Sequence, residues 1–153
     1  MGLFDMFKGD KGQEMTPHKA LTVSMLYIMA SDGEIDSEEI GQLLSVIGGE
    51  NRNGSIVVGG SNPNLLRESL DYVRKTRWTD FLTEVTAANV LSEEQKLYIC
   101  VNMLDSSLSD GTPEPQEGEV IMKFLDAFGI SEEKFKPYYD AIAFKNNRKV
   151  FKI

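Results

Sequence analysis

Apolar residues recur along most of this chain at the three-to-four-residue spacing of helices that bury one face. Thr16-Pro17 marks a first start, a capping hydroxyl followed by a proline, and Leu21, Met25, Ile28 and Met29 follow on one stripe. A second helix opens at Asp36, carries Ile40, Leu43, Leu44 and Ile47, and stops at Gly48-Gly49. A loop rich in Gly and Asn runs from Gly48 to Asn62 and encloses Ile56-Val57-Val58, the one place where a short hairpin is expected. Asn62-Pro63 opens a third helix with Leu66, Leu70 and Val73, and Thr79 is the expected cap of a fourth with Phe81, Leu82 and Val85. Ser92-Glu93-Glu94-Gln95 matches a capping box and opens a fifth, with Leu97, Val101, Leu104 and Leu108 on its core face. A sixth runs from near Pro113 to Gly129 through Val120, Ile121, Phe124, Leu125 and Phe128. Ser131 caps a seventh, with Phe135, Tyr138, Tyr139 and Ile142 inward and Pro137 placed to delay or kink it. The pattern predicts an all-α bundle of about seven helices. Residues 1–15 form an N-terminal arm, 16–146 the helical domain and 147–153 a basic tail.

Length and composition narrow the picture. A chain of 153 residues with 41% hydrophobic and 26% charged residues fits one soluble domain, large enough to bury a core without disulfide or metal. A single Cys excludes an internal disulfide and four-Cys zinc sites, and a single His leaves little room for a Ser-His-Asp or Cys-His engine, so no enzyme is expected. A net charge of −8 is poor for a phosphate backbone, and no nucleic-acid partner is expected. The longest nearly apolar run, Ala20 to Ala30, is 11 residues against the ~20 a membrane span needs. The N-terminus lacks a basic region and a long apolar stretch, and Met6 stands where a myristoylation motif needs Ser or Thr. Leu3, Phe4 and Phe7 of the arm are read as packing on the domain itself, the alternative being a membrane-surface or partner-binding arm. The expected localisation is cytoplasmic.

A weak internal repeat underlies the helical pattern. Ser31-Asp32-Gly33-Glu34-Ile35-Asp36-Ser37-Glu38-Glu39 recurs, at an offset of 78, as Ser109-Asp110-Gly111-Thr112-Pro113-Glu114-Pro115-Gln116-Glu117. Each copy follows one apolar helix and precedes another, so two helix-turn-helix units make a pseudo-twofold bundle in which the acidic turns could face one another. Six acids and no base lie between Ile28 and Glu50, and five acids and no base between Asp105 and Glu119. Carboxylates gathered this way repel unless a proton or cation intervenes, and an all-oxygen donor set suits Ca²⁺, Mg²⁺ or Mn²⁺. A complete EF-hand is nevertheless excluded. With Gly33 at the loop's sixth position, Asp32, Asp36 and Glu39 fall in pattern, but Ile28 and Ala30 take the first and third places. In the second copy Ser106 and Leu108 take them. The competing structural reading is that Asp36-x-x-Glu39 caps a helix, acids complement the helix dipole, and Asp-Gly is an ordinary turn.

The pattern Met-Ala-Ser-Asp-Gly-Glu-Ile-Asp-Ser-Glu-Glu after a first helix, with a second Ser-Asp-Gly turn before the penultimate helix, resembles the TerB-like tellurite-resistance family. The resemblance covers residues 16–145 and is carried by the two turns and their flanking helices. It implies a bacterial, cytoplasmic, all-helical stress-response module without catalysis. It further implies a divalent cation, calcium or magnesium, bound through Asp32, Asp36, Glu39, Asp110, Glu114 and Glu117, and protein partners in a membrane-associated stress-response complex. The alternative is a helical protein–protein adaptor in which these acids only cap helices. The sequence departs from the family in the 48–62 loop and in Pro113 and Pro115, which bear on the use of Glu114.

The remaining chemistry is sparse. His18 in the first helical turn is expected exposed, and Cys100 is expected buried and inert beside Ile99 and Val101. The glycines at 49 and 54 have phosphate-loop spacing but no Lys and follow a helix, so they are dismissed as such a loop. Two basic stretches, Arg67, Arg74, Lys75 and Arg77 near Trp78, and Lys145, Arg148, Lys149 and Lys152, read as solvated faces or as a basic surface for an acidic partner.

Overall fold

The computed structural model of the chain describes residues 14–31, 43, 49–50, 56–57, 63–109 and 115–151. Among them are six α-helices: α1 (Pro17–Ala30), α2 (Pro63–Lys75), α3 (Trp78–Ala88), α4 (Glu93–Leu108), α5 (Pro115–Phe128) and α6 (Glu132–Lys145), with a 3₁₀ turn at Arg148–Phe151. Strands β1 (Gly49–Glu50) and β2 (Ile56–Val57) pair antiparallel, Gly49 opposite Val57 and Glu50 opposite Ile56, which is the short hairpin expected from the sequence. The helix expected from Asp36 lies outside the described residues except for Leu43, which is helical and fully buried.

α1 is the axis of the bundle. Thr16 Oγ1 accepts a hydrogen bond from the Lys19 amide at 3.2 Å, and Pro17 fills the first helical position, as the sequence signals predict. The helix is not half-buried, as a stripe of Leu21, Met25, Ile28 and Met29 would suggest. Every residue from Lys19 to Met29 is buried, because α2, α3, α4 and α5 all pack against it. Polar side chains in this helix are satisfied locally: Thr22 Oγ1 donates to the His18 carbonyl at 2.9 Å and Ser24 Oγ to the Ala20 carbonyl at 2.6 Å.

An aromatic chain crosses the core beside α1. Phe81 sits 5.6 Å from Tyr27, 6.0 Å from Tyr72 and 5.9 Å from Phe124, which in turn lies 5.8 Å from Phe128. Each such pair contributes about 0.5–1.5 kcal/mol beyond its area. Trp78, 6.5 Å from Phe124, extends the chain to the surface and moves the start of α3. The cap is Arg77 in extended backbone with no side-chain cap bond, and Thr79, the expected cap, is already inside the helix. Starting at Trp78 puts the indole on the face toward Phe124, and that packing outweighs the hydroxyl cap.

Ser92 and Gln95 form the predicted reciprocal box at the head of α4, with bonds of 3.1 and 2.8 Å. The buried face of α4 is wider than expected. Ile99, Cys100, Met103, Leu104, Ser107 and Leu108 are buried while Leu97 and Val101 are half-buried, since α1, α5 and α6 all pack on this helix. α5 buries Val120, Ile121, Phe124 and Phe128, with Leu125 half-buried, and Gly129 closes it at φ 71°, a left-handed conformation that glycine adopts without strain. Ser131 caps α6 as predicted, but the helix starts at once and runs through Pro137. Tyr138 and Tyr139, expected inward, are 43% and 45% exposed. α6 packs mainly on α4, so its buried stripe is narrow, with Phe135 buried and Ile142 half-buried. No helix among the described residues is long and apolar enough to cross a membrane.

Replacing Phe81 by Ala should cost about 3–5 kcal/mol in equilibrium urea unfolding, as a fully buried ring leaves a cavity at the crossing of α1, α2 and α5. Ser92→Ala should cost about 1 kcal/mol. Equal losses for the two variants would contradict this placement of the core.

Candidate functional site

The two helices that lead into the acidic turns end in the same way. Ser31, which follows α1, has φ −64° and ψ −24°; Ser109, which follows α4, has φ −60° and ψ −28°. The Ser31 amide lies 3.4 Å from the Ile28 carbonyl and its Oγ 2.7 Å from the same oxygen. The Ser109 amide lies 3.4 Å and its Oγ 2.7 Å from the Ser106 carbonyl. Thus the two serines that open the repeated motif make one local structure twice, and α1 and α4 pack on each other. In each case the hydroxyl adds a short second bond to a last-turn carbonyl that its own amide reaches only at long distance. The same geometry disposes of the EF-hand: Ile28 and Ala30 are helical in α1, and Ser106 and Leu108 are helical in α4, so the places of the first two ligands are occupied by helix.

Of the six acids expected to hold a cation, Asp32, Asp36, Glu39, Asp110 and Glu114 lie outside the described residues. Glu117 sits in the first turn of α5, half-buried and engaged in an interaction, where a carboxylate also complements the helix dipole. Among the described residues no group of three or more His, Cys, Asp or Glu could hold a metal ion. Ser31, which precedes Asp32, and Gln116 and Glu119, which follow the second motif's prolines, line one cleft of about 680 Å³.

The same cleft is lined by the first basic stretch. Arg74 and Lys75 end α2, Arg77 and Trp78 open α3, and Tyr27 of α1 lines the cleft with them. Lys75 pairs with Asp71 at 3.0 Å and Arg77 with Asp80 at 3.4 Å, all on exposed side chains, where such pairs are weak. Arg74 is exposed and has no ion-pair partner among the described residues. Lys145 and Arg148 of the second stretch fold back toward the other serine. Lys145 Nζ bonds Asp105 at 2.7 Å, and Arg148 donates to the Ser109 carbonyl at 3.4 Å. Lys152 lies outside the described residues.

Beneath the cleft lies a polar network that the sequence reading missed. Tyr27 donates its hydroxyl to the Thr76 carbonyl and Tyr72 donates to Glu84 Oε2, tying α1 to the α2–α3 connection and α2 to α3. Burial, and then the Glu84 carboxylate, raise both phenols well above the ordinary tyrosine value. Lys19, 2% exposed, holds its ammonium 5.2 Å from the centre of the Tyr72 ring. The signal for it was a single Lys set in an otherwise apolar helix. Cys100 is fully buried, and burial pushes its thiol up to about 12, far from a reactive thiolate. His18 is half-buried, against its expected exposure, and lines a small pocket with Gln95, Tyr98 and Ile99 of α4.

No protein-family model, curated protein or solved structure matches the chain.

The raised phenols set a direction for stability. In the unfolded chain Tyr27 and Tyr72 ionise near their ordinary value of 10.0, while in the fold they resist ionisation. Their contribution is therefore present in full below 10.0 and is lost as pH rises above it. Urea midpoints measured on either side of that value should fall on the alkaline side, and the fall should shrink in a Tyr27→Phe, Tyr72→Phe double variant. An undiminished fall would assign the loss to other groups.

Proposed function

We propose that this protein is a non-catalytic, TerB-like stress-response module that takes up a divalent cation, calcium or magnesium, through its two Ser-Asp-Gly turns. Asp32, Asp36 and Glu39 would serve from the first turn and Asp110, Glu114 and Glu117 from the second. The observation that carries the reading is the duplication of the serine cap at Ser31 and Ser109, with matching dihedral angles and bond lengths at the mouths of two acidic segments of matching pattern. Capping alone asks for no such repetition, because each helix end could use any residue that satisfies its carbonyls. The shared cleft adds support, since Ser31 and Gln116 line it together. A cation bound there would relieve repulsion among carboxylates and could couple cation uptake to a protein partner in a membrane-associated stress-response complex. The setting we infer is the bacterial cytoplasm. The runner-up, a cation-free adaptor, is favoured by one observation: Glu117 occupies a first helical turn, where it needs no cation to be stabilising.

Calorimetry with Ca²⁺, Mg²⁺ and Mn²⁺ separates these readings, and stability measurements sharpen the test. Replacing Asp36 and Glu39 by Asn and Gln should abolish a cation-induced rise in melting temperature, since a ligand stabilises only the state that binds it. If the two residues only cap, the variant should instead lose about 1–2 kcal/mol equally in chelator and in calcium, and the cation reading fails.

Resistance to tellurite offers a cellular readout. Cys100→Ala should leave any such phenotype intact, because a fully buried thiol with a raised pKa is a poor nucleophile, whereas Asp32→Asn with Asp110→Asn should weaken it. A Cys100→Ala protein that folds normally yet loses resistance would point to redox chemistry instead.

A further inference from the structure

Away from the cleft, large apolar side chains are left in solvent, and they are gathered at one end of the fold. Of the seven such residues among those described, five (Tyr138, Tyr139, Phe144, Val150 and Phe151) belong to the second half of α6 and the 3₁₀ turn after it. Phe144 is 71% exposed and Phe151 90%, so the fold covers almost none of the second ring. The backbone that carries them is nevertheless wound up. The Asn147 amide donates to the Phe144 carbonyl at 3.1 Å and the Val150 amide to the Asn147 carbonyl at 3.3 Å, which makes consecutive turns of residues 144–151. Asp105 of α4 accepts from Lys145 Nζ at 2.7 Å and from Asn146 Nδ2 at 2.8 Å, and Arg148 donates to the Ser109 carbonyl at 3.4 Å. Polar residues thus fasten the segment to α4 while its rings stay outside.

Charge is segregated at the same place. All 24 acids of the chain stand at or before Asp140, whereas four of its 16 bases follow it. Lys145 is paired with Asp105, but Arg148 and Lys149 are exposed and have no ion-pair partner among the described residues. The remainder of the chain is acidic on balance, so an anionic surface would turn this end of the molecule toward itself. Protruding rings beside unpaired cations suit a bilayer better than a protein. A protein must bring a pocket for each ring, whereas the headgroup boundary closes around apolar side chains wherever they stand and anionic lipids meet the cations. We propose that the end of α6 and the 3₁₀ turn dock the protein peripherally on an anionic lipid surface. Phe144, Val150 and Phe151 enter the interface, and Arg148 and Lys149 lie on the headgroups. The inference stands apart from the cation reading, since none of these residues belongs to the proposed ligand set.

Co-sedimentation with lipid vesicles tests it, in chelator so that a divalent cation plays no part. The wild-type chain should bind vesicles of phosphatidylcholine containing phosphatidylglycerol at least about tenfold more tightly than vesicles of phosphatidylcholine alone, and added salt should weaken that binding. Phe144→Ser with Phe151→Ser, and separately Lys149→Glu, should each weaken it at least about tenfold. Circular dichroism and urea midpoints should stay at their wild-type values, because these side chains are exposed. A wild-type chain that leaves the anionic vesicles alone overturns the proposal. So does binding indifferent to the double phenylalanine substitution, which would use another face, and so does equal binding to both kinds of vesicle, which removes the cations from the account. Retention on polyglutamate as tight as on the anionic vesicles also overturns it, and assigns the surface to an acidic protein instead.

Discussion

A helix buried on every side dictates how the rest of this chain must lie. From Lys19 to Met29 α1 offers no face to solvent, so it is stable only inside a sheath, and the other helices supply one. Covering such a helix explains why the remaining elements are amphipathic while α1 is not, and why the aromatic side chains gather around Phe81 and Phe124 where α3 and α5 close over it. Its polar side chains are then held to strict conditions. A buried hydroxyl or ammonium without a partner costs several times what a hydrogen bond returns. Thr22 and Ser24 meet this by binding the carbonyls one turn back, and Lys19 by lying against the Tyr72 ring.

The same constraint shapes the ends of the two central helices. α1 and α4 lie against each other, and each stops in a serine whose amide and hydroxyl both address the carbonyl three residues before it. A helix that is locked by packing to its last turn cannot unwind to donate the first ligands of a calcium loop. Ile28 and Leu108 are buried parts of the core, so the half-motif is a consequence of the bundle and not a degraded EF-hand. Any cation chemistry at these turns has to draw on residues after the serine, which is where the repeated acids stand in the sequence.

What the sequence made legible follows the range of the forces involved. Thr16, Ser92 and Ser131 were readable because a cap acts over three residues, and all three hydroxyls make the expected bonds. Thr79 misled because a contact between Trp78 and Phe124, residues 46 apart in sequence (124 − 78), decides where α3 begins. The stripes of α4 and α6 were misjudged in opposite senses for one reason. Periodicity reports that a face is apolar, not how many neighbours cover it; α4 has three and α6 has mainly one. Lys19 and the Tyr72–Glu84 bond escaped the reading since a polar residue in an apolar run carries no sign of the tertiary partner that satisfies it. Of the candidate site, the serines and the shared cleft could be tested against geometry, and Glu117 alone of the six acids.

Charge and rigidity are arranged together around that cleft. Ser31, Gln116 and Glu119 line it together with Arg74, Lys75 and Arg77. The basic wall is built on the short connection between α2 and α3, which would be free to swing if only its exposed ion pairs held it. Two buried phenols prevent this. Tyr27 grips the connection at the Thr76 carbonyl, and Tyr72 ties α2 to Glu84 of α3. Both bonds are part-buried, with the phenols themselves buried, which makes them costlier to break than the exposed ion pairs. The backbone that carries these cations is thereby anchored to the core. A cleft that carries Glu119 beside Arg74, Lys75 and Arg77 on an anchored connection offers both signs of charge to an incoming ion or partner.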